Sequence, residues 1–276
     1  MYSLPREIHQ EIIGWLEPET QQITRLVDRY FAGLIEPQNV NLLKFGAIHG
    51  ILEYCEIGLS RGNLKTQICY MAAKHGHLEI LKYARSHDCP WNSLTCEHAA
   101  KHGHLEVLQW ARSQGCPWGS DTCYFAAQNG HLEVLRWVRS QKCPWDKWTC
   151  AQSALNGHLK VLKWARSQEC PWDKWTCTQA ASNGHLKVLQ WARSQECPWD
   201  GWTCAQAARN GHLKVLKWAR SQECPWDGWT CYYAALNGHL EALQWALEHG
   251  CPWNFQTVNI SYYTPRIQEY LTALRG

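Results

Sequence analysis

No stretch of this 276-residue chain approaches the about 18 to 20 consecutive apolar residues that a bilayer-spanning helix needs, so no membrane attachment through a span is expected. The opening MYSLPREIHQ lacks a basic segment followed by an apolar one, and an intracellular protein of cytoplasm or nucleus is expected. Excess charge of one sign is scarce as well. Lys and Arg number 27 against 24 Asp and Glu, a net +3 that does not mark the whole chain as a partner of polyanions. No Gly-rich phosphate loop, paired-carboxylate cleft or His-Glu-x-x-His motif occurs, so neither an enzyme nor a cofactor site is expected.

What the chain does have is a period. Cys-Pro-Trp triplets begin at Cys89, Cys116, Cys143, Cys170, Cys197, Cys224 and Cys251, each 27 residues after the last. A fixed period of this size means one supersecondary unit stacked many times, with an extended surface as its output. The unit Asp146 to Trp172 reads as helix, turn, helix, loop. Asp146 or Thr149 can cap a first helix, along which Cys150, Ser153 and Ala154 form a narrow stripe of small residues that allows close helix approach. Asn156-Gly157 ends it, glycine supplying a positive φ without a Cβ clash. A second helix follows with Leu159, Val161, Leu162, Trp164 and Ala165 apolar around a wide arc, which only stacked neighbours can cover. Pro171 prevents that helix from continuing, and Trp172 can lie over the junction.

Cysteine is abundant at 15, but the count is odd and 14 of the residues fall on two lattices set by the repeat. One opens Cys-Pro-Trp; the other runs through Cys69, Cys96, Cys123, Cys150, Cys177, Cys204 and Cys231. Equivalent positions in stacked helices lie about 8 to 10 Å apart, beyond disulfide reach, so free buried thiols are expected. Cys89, Cys96 and His104 recur as a set, yet structural zinc draws on Cys pairs about two to four residues apart, and no metal site is expected. Near-identical copies of a Cys and His set likewise fit a scaffold better than a nucleophile, which needs one singular, activated site.

The stretch Thr122 to Leu135 resembles the ankyrin repeat family, whose core reads Thr-Pro-Leu-His-x-Ala-Ala-x-x-Gly-His-x-x-Val-Val. The Gly-His pair recurs at His77, His104, His131, His158, His185, His212 and His239. The resemblance covers roughly 39–276 and implies an all-α solenoid of stacked helix-turn-helix repeats, about eight helix pairs plus a C-terminal cap. Ankyrin units have about 33 residues, and the missing residues are those of the β-hairpin finger, so strands should be absent or vestigial. It also implies that the histidine is a turn residue bonding backbone between repeats. The degenerate echo Ala47-Ile-His-Gly-Ile-Leu-Glu53 and the spacing of Ile267, Tyr270, Leu271 and Leu274 read as end units whose outer faces meet water.

Residues 1–38 follow another rule, with amphipathic helical spacing in Ile8, Ile12, Ile13, Leu16 and again in Leu26, Val27, Tyr30, Phe31, Leu34. Leu4-Pro5-Arg-Glu-Ile8 and Leu26-Val27-Asp-Arg29-Tyr-Phe31 resemble an F-box, which implies docking onto the Skp-type adaptor of a cullin-RING ubiquitin ligase. The contact residues so implied are Leu4, Pro5, Ile8, Ile12, Leu16 and Val27, and the array would hold the target protein. The same helices also read as a plain cap of the array. F-box and ankyrin segments together resemble proteins of poxviruses and large viruses of amoebae.

Positions fixed by stacking recur, whereas contact positions are free to differ from unit to unit. The variable pairs include Tyr124/Phe125, Ala151/Gln152, Thr178/Gln179, Ala205/Gln206 and Tyr232/Tyr233, on the helix that faces the concave side in ankyrin folds. Loop positions Trp148, Trp175, Trp202 and Trp229 vary too, against Leu94 and Asp121 in earlier units. Tyr124, Phe125, Gln152, Gln179, Gln206, Tyr232, Tyr233 and these tryptophans are the expected target contacts, since aromatics dominate interface energetics. Packing over neighbouring loops is the other reading of the tryptophans. Nucleic acid is a rival partner, because Lys160, Lys163, Arg166, Lys187, Arg193, Lys214, Lys217 and Arg220 recur on second helices. Glu169, Glu196 and Glu223 follow in the same units, and a solvated face of mixed charge is expected instead.

Overall fold

The computed structural model describes residues 42–60, 65–256 and 258–275, and the described residues contain helices and no strand. The F-box-like segment 1–38, with Leu4, Pro5, Ile8, Ile12, Leu16 and Val27, lies outside them. The chain divides into two compact units, 1–65 and 66–276. In the first, helices Leu42–His49 and Leu52–Ser60 pack closely around Gly46, where a Cβ would come within 2.7 Å of the Cys55 thiol.

The second unit is an array. Its first helices are Ile68–His75, Ser93–Lys101, Ser120–Gln128, Lys147–Leu155, Lys174–Ser182, Gly201–Arg209 and Gly228–Leu236. Each is followed by a second helix: Leu78–Ser86, Leu105–Ser113, Leu132–Ser140, Leu159–Ser167, Leu186–Ser194, Leu213–Ser221 and Leu240–Glu248. Successive first helices pack directly on one another, because Ala and Cys line their shared faces, while successive second helices touch sparsely. The first helices therefore form the tighter, inner side of the stack. On the second helices Leu81, Leu108, Leu135, Leu162, Leu189, Leu216 and Leu243 are fully buried. Each such leucine contributes about 1.5–3 kcal/mol of burial, shared between neighbours that could not fold alone.

In six of the seven units the turn is closed by the same interlock, and Gly238 in the last unit faces Thr264 instead. Gly130 has φ +76°, and a Cβ there would meet Nδ1 of His158, from the next unit, at 2.7 Å. The imidazole fills the space that the missing side chain leaves. Nε2 of His158 then donates to the carbonyl of Gln128 at 3.1 Å, as His131 does to Lys101 and His104 to Lys74 at the same distance. The histidine expected to bond backbone between repeats does so.

The Cys-Pro-Trp loop forms the outer seam. Arg166 donates to the Cys170 carbonyl and its guanidinium lies 4.3 Å from the Trp172 ring centroid, while Trp172 packs on Trp191 of the next unit at 6.0 Å. This geometry recurs from Trp91 to Trp226, with Arg to Trp distances of 4.1–4.4 Å. At the C-terminal end the helix Pro265–Arg275 covers the last unit with Ile267 and Leu271 fully buried, Tyr270 half-buried and Leu274 exposed.

Candidate functional site

The inner face begins at the caps of the first helices. Asp146, Asp173, Asp200 and Asp227 accept from the backbone N–H of Trp148, Trp175, Trp202 and Trp229 at 2.9–3.1 Å. Of the two cap candidates the aspartate does the work; the Thr149 hydroxyl is buried with no hydrogen-bond partner among the described residues. Because the cap lies that early, the four tryptophans are not in loops. They stand in the first turn of their helices, 36–51% exposed.

Trp148 and Trp175 approach at 6.3 Å between centroids, and Trp202 and Trp229 stack at 6.5 Å with planes 19° apart. Tyr233 joins the second pair, 6.0 Å from Trp202 and 5.6 Å from Trp229, and Tyr232 meets Trp229 edge-on at 5.4 Å. Trp202, Trp229, Tyr232 and Tyr233 thus make one aromatic patch. The tryptophans pack on neighbouring units, and that packing leaves part of each ring exposed. Tyr124 and Phe125 form a separate edge-to-face pair at 5.0 Å. Burial, with a smaller effect of Asp121, raises the Tyr124 phenol above its ordinary range.

Other expected contacts are placed differently. Gln152 is 6% exposed and accepts a hydrogen bond from the Gln128 side chain at 3.2 Å, so it offers a partner little surface. Gln179 and Gln206 are half-buried. Basic side chains complete the face, and of these the sequence reading selected neither Lys147 nor Lys174. Lys147 and Lys174 reach across units to Asp173 and Asp200 at 2.8 and 2.7 Å, Arg209 lies 5.5 Å from the Tyr233 centroid and Lys101 5.4 Å from that of Phe125. The signal was there: Lys147 and Lys174 give way to Gly201 and Gly228 at one lattice position.

The stack interior is lined with thiols. All 15 cysteines are buried and outside any disulfide. Thiols of the two lattices meet within a unit, Cys150 with Cys170 and Cys177 with Cys197, and this contact together with burial pushes the Cys150 and Cys177 thiols far above the ordinary range. Burial also pushes Cys69 up to about 12. Thiols so raised are poor nucleophiles at neutral pH, while contact with Cys96, Cys123 and Cys231 lowers their partners Cys116, Cys143 and Cys251. No group of three His, Cys, Asp or Glu among the described residues is arranged to hold a metal ion, and no described helix is long and apolar enough to cross a membrane.

Known proteins place this geometry. Residues 69–112 match the family model for ankyrin repeats in many copies. The fold is similar to the crystal structure of the human ASB11 ankyrin repeat domain, with a TM-score of 0.52 and 12% identity, covering 66% of this chain and 97% of that one. No curated protein matches the sequence. Residues 69–112 thus match ankyrin repeats by sequence, and the array has the all-helical solenoid fold of an ankyrin repeat domain, a fold that serves as a protein–protein interaction scaffold.

Proposed function

We propose that the chain is a non-catalytic, intracellular adaptor that holds a target protein on the inner face of its array and presents it to a cullin-RING ubiquitin ligase. The aromatic patch of Trp202, Trp229, Tyr232 and Tyr233 carries the first half of this reading. Rigid, partly exposed aromatics beside an Arg are the residue types that anchor protein interfaces. The second half rests on the F-box-like residues Leu4, Pro5, Ile8, Ile12, Leu16 and Val27, which supply the apolar contacts for a Skp-type adaptor.

Pull-down of the full chain with a Skp-type adaptor tests the ligase connection. Binding that is lost on Leu4→Ala with Pro5→Ala supports it. No binding, or binding indifferent to that double change, leaves an ankyrin scaffold with no ligase role, the second reading that the array by itself supports. Proximity labelling with the wild type and a Trp229→Ala/Tyr233→Ala variant tests the other half: targets of the inner face disappear from the variant.

A further inference from the structure

The second residue of every second helix occupies the same place in the array, and its charge changes sign along the chain. Glu79, Glu106 and Glu133 come first, Lys160, Lys187 and Lys214 follow, and Glu241 ends the series. An acid there is what the helix prefers, since the N-terminal turn carries the positive end of the macrodipole. Glu79 and Glu133 are further satisfied by Lys82 and Arg136 one turn on, at 2.7 and 3.3 Å. In the three central units the first preference is violated throughout, and in two of them the second as well. Lys160 faces Lys163 and Lys214 faces Lys217, like charges three residues apart on one helix face, with no acid in the first turn. Lys160, Lys187 and Lys214 are exposed and form no ion pair among the described residues. A local rule broken in three consecutive units without an internal compensation marks a surface kept for a partner.

We infer that this stripe docks a short acidic segment of a protein, at a surface independent of the inner aromatic face. Three lysines one unit apart span about 20 Å, the length of about six extended residues. Glu133 and Glu241 bound the stripe at its two ends, and exposed Glu169, Glu196 and Glu223 follow the other ends of the same helices. A long polyanion would run into these acids, whereas a short acidic run fits between them. The stripe also lacks the groups that grip nucleic acid. Arg166, Arg193 and Arg220 are tied to the carbonyls of Cys170, Cys197 and Cys224 and to the faces of Trp172, Trp199 and Trp226, leaving lysine point charges without a free guanidinium fork.

Fluorescence anisotropy with the full chain tests the inference, using a labelled decapeptide that carries six consecutive glutamates and an oligothymidylate of equal charge as probes. The decapeptide should bind at low salt, more tightly than the oligothymidylate. Lys160→Glu, Lys187→Glu and Lys214→Glu together should weaken it about tenfold or more, while Lys147→Gln with Lys174→Gln should leave it unchanged. The triple variant installs the residue that the flanking units already carry, so its melting temperature should not fall; if it does, Lys→Gln at the three positions gives the same reading. No decapeptide binding, binding indifferent to the three lysines, or tighter binding of the oligothymidylate through them would overturn the inference, the last assigning the stripe to nucleic acid.

Discussion

Between Gly130 and His158 the array admits no added atom, because a Cβ would stand 2.7 Å from a ring already hydrogen-bonded to Gln128. At the first turn of the first helices the same array accepts Leu94, Asp121, Trp148, Trp175, Trp202 and Trp229 in successive units. The contrast separates two kinds of requirement. Where units touch through backbone and small side chains, a shape is imposed and repeats at 27 residues; where a side chain points outward, stacking asks nothing of it. The strongest way to break the contrast is at the interlock. Gly130→Ala must hold alanine at φ +76° and displace the imidazole, and should cost about 2–4 kcal/mol by chemical denaturation. A loss below about 0.5 kcal/mol would show that the ring moves freely and that the turn is not the joint between units.

The interlock also has a pH signature. His104, His158 and His212 are pulled below the ordinary imidazole range, chiefly by burial, with the bond to a backbone carbonyl opposing the shift in part. His98 and His102 are lowered as well, by burial first and then by Lys101 and Lys74 respectively. A lowered folded value means that the unfolded chain takes up protons first. Stability from these groups is therefore complete above about pH 6.5 and lost as pH falls through the lower folded values. The melting temperature should be lower at about pH 5.5 than at about pH 7.5, above the range where carboxylates titrate. Replacing His158 by Gln should flatten that dependence, and an unchanged slope would remove this histidine from the account.

Much of the scaffold was legible because stacking demands residue types at fixed intervals. Gly with His, the Ala pairs, and Pro after the second helix each follow from one physical constraint repeated in unit after unit. The cap was less legible, since Asp146 and Thr149 both suit a helix start and only the backbone path decides between them. The thiol contacts were missed for a different reason. Equivalent cysteines of different units stand too far apart to pair, whereas loop closure brings Cys150 against Cys170 within one unit. Gln152 varies among the units yet is buried, because Gln128 from the preceding unit folds over it. Variation alone does not distinguish a partner's contact from a local exchange between neighbours.

A smaller effect lies in the loop after the second helix, where shape is imposed but not met by the best residue. Glu169, Glu196 and Glu223 have φ between +60° and +62°, while Gly115 and Gly250 occupy the same place in other units. Glu196→Gly should stabilise by about 0.5–1 kcal/mol, the relief of the left-handed strain less the added freedom of the unfolded chain. Destabilisation on this change, measured in the same denaturation assay, would show that the Glu196 side chain holds the seam.

The smallest effect on stability should come from the inner face, and there the comparison is sharpest. Trp229 is 51% exposed, and its ring contacts are Trp202, Tyr232 and Tyr233, all of which keep other neighbours. Its helix start is secured by the Asp227 carboxylate accepting from the backbone N–H, a bond that does not need the indole. Trp229→Ala should therefore shift unfolding by about 0.5 kcal/mol or less. Loss of one anchor should nevertheless weaken a target by about 2 kcal/mol, since a few aromatics carry most of an interface. Calorimetry on the variant and the wild type, against a target recovered by proximity labelling, separates the two quantities. A large stability loss would make Trp229 part of the scaffold, and unchanged affinity would move the interface off this patch.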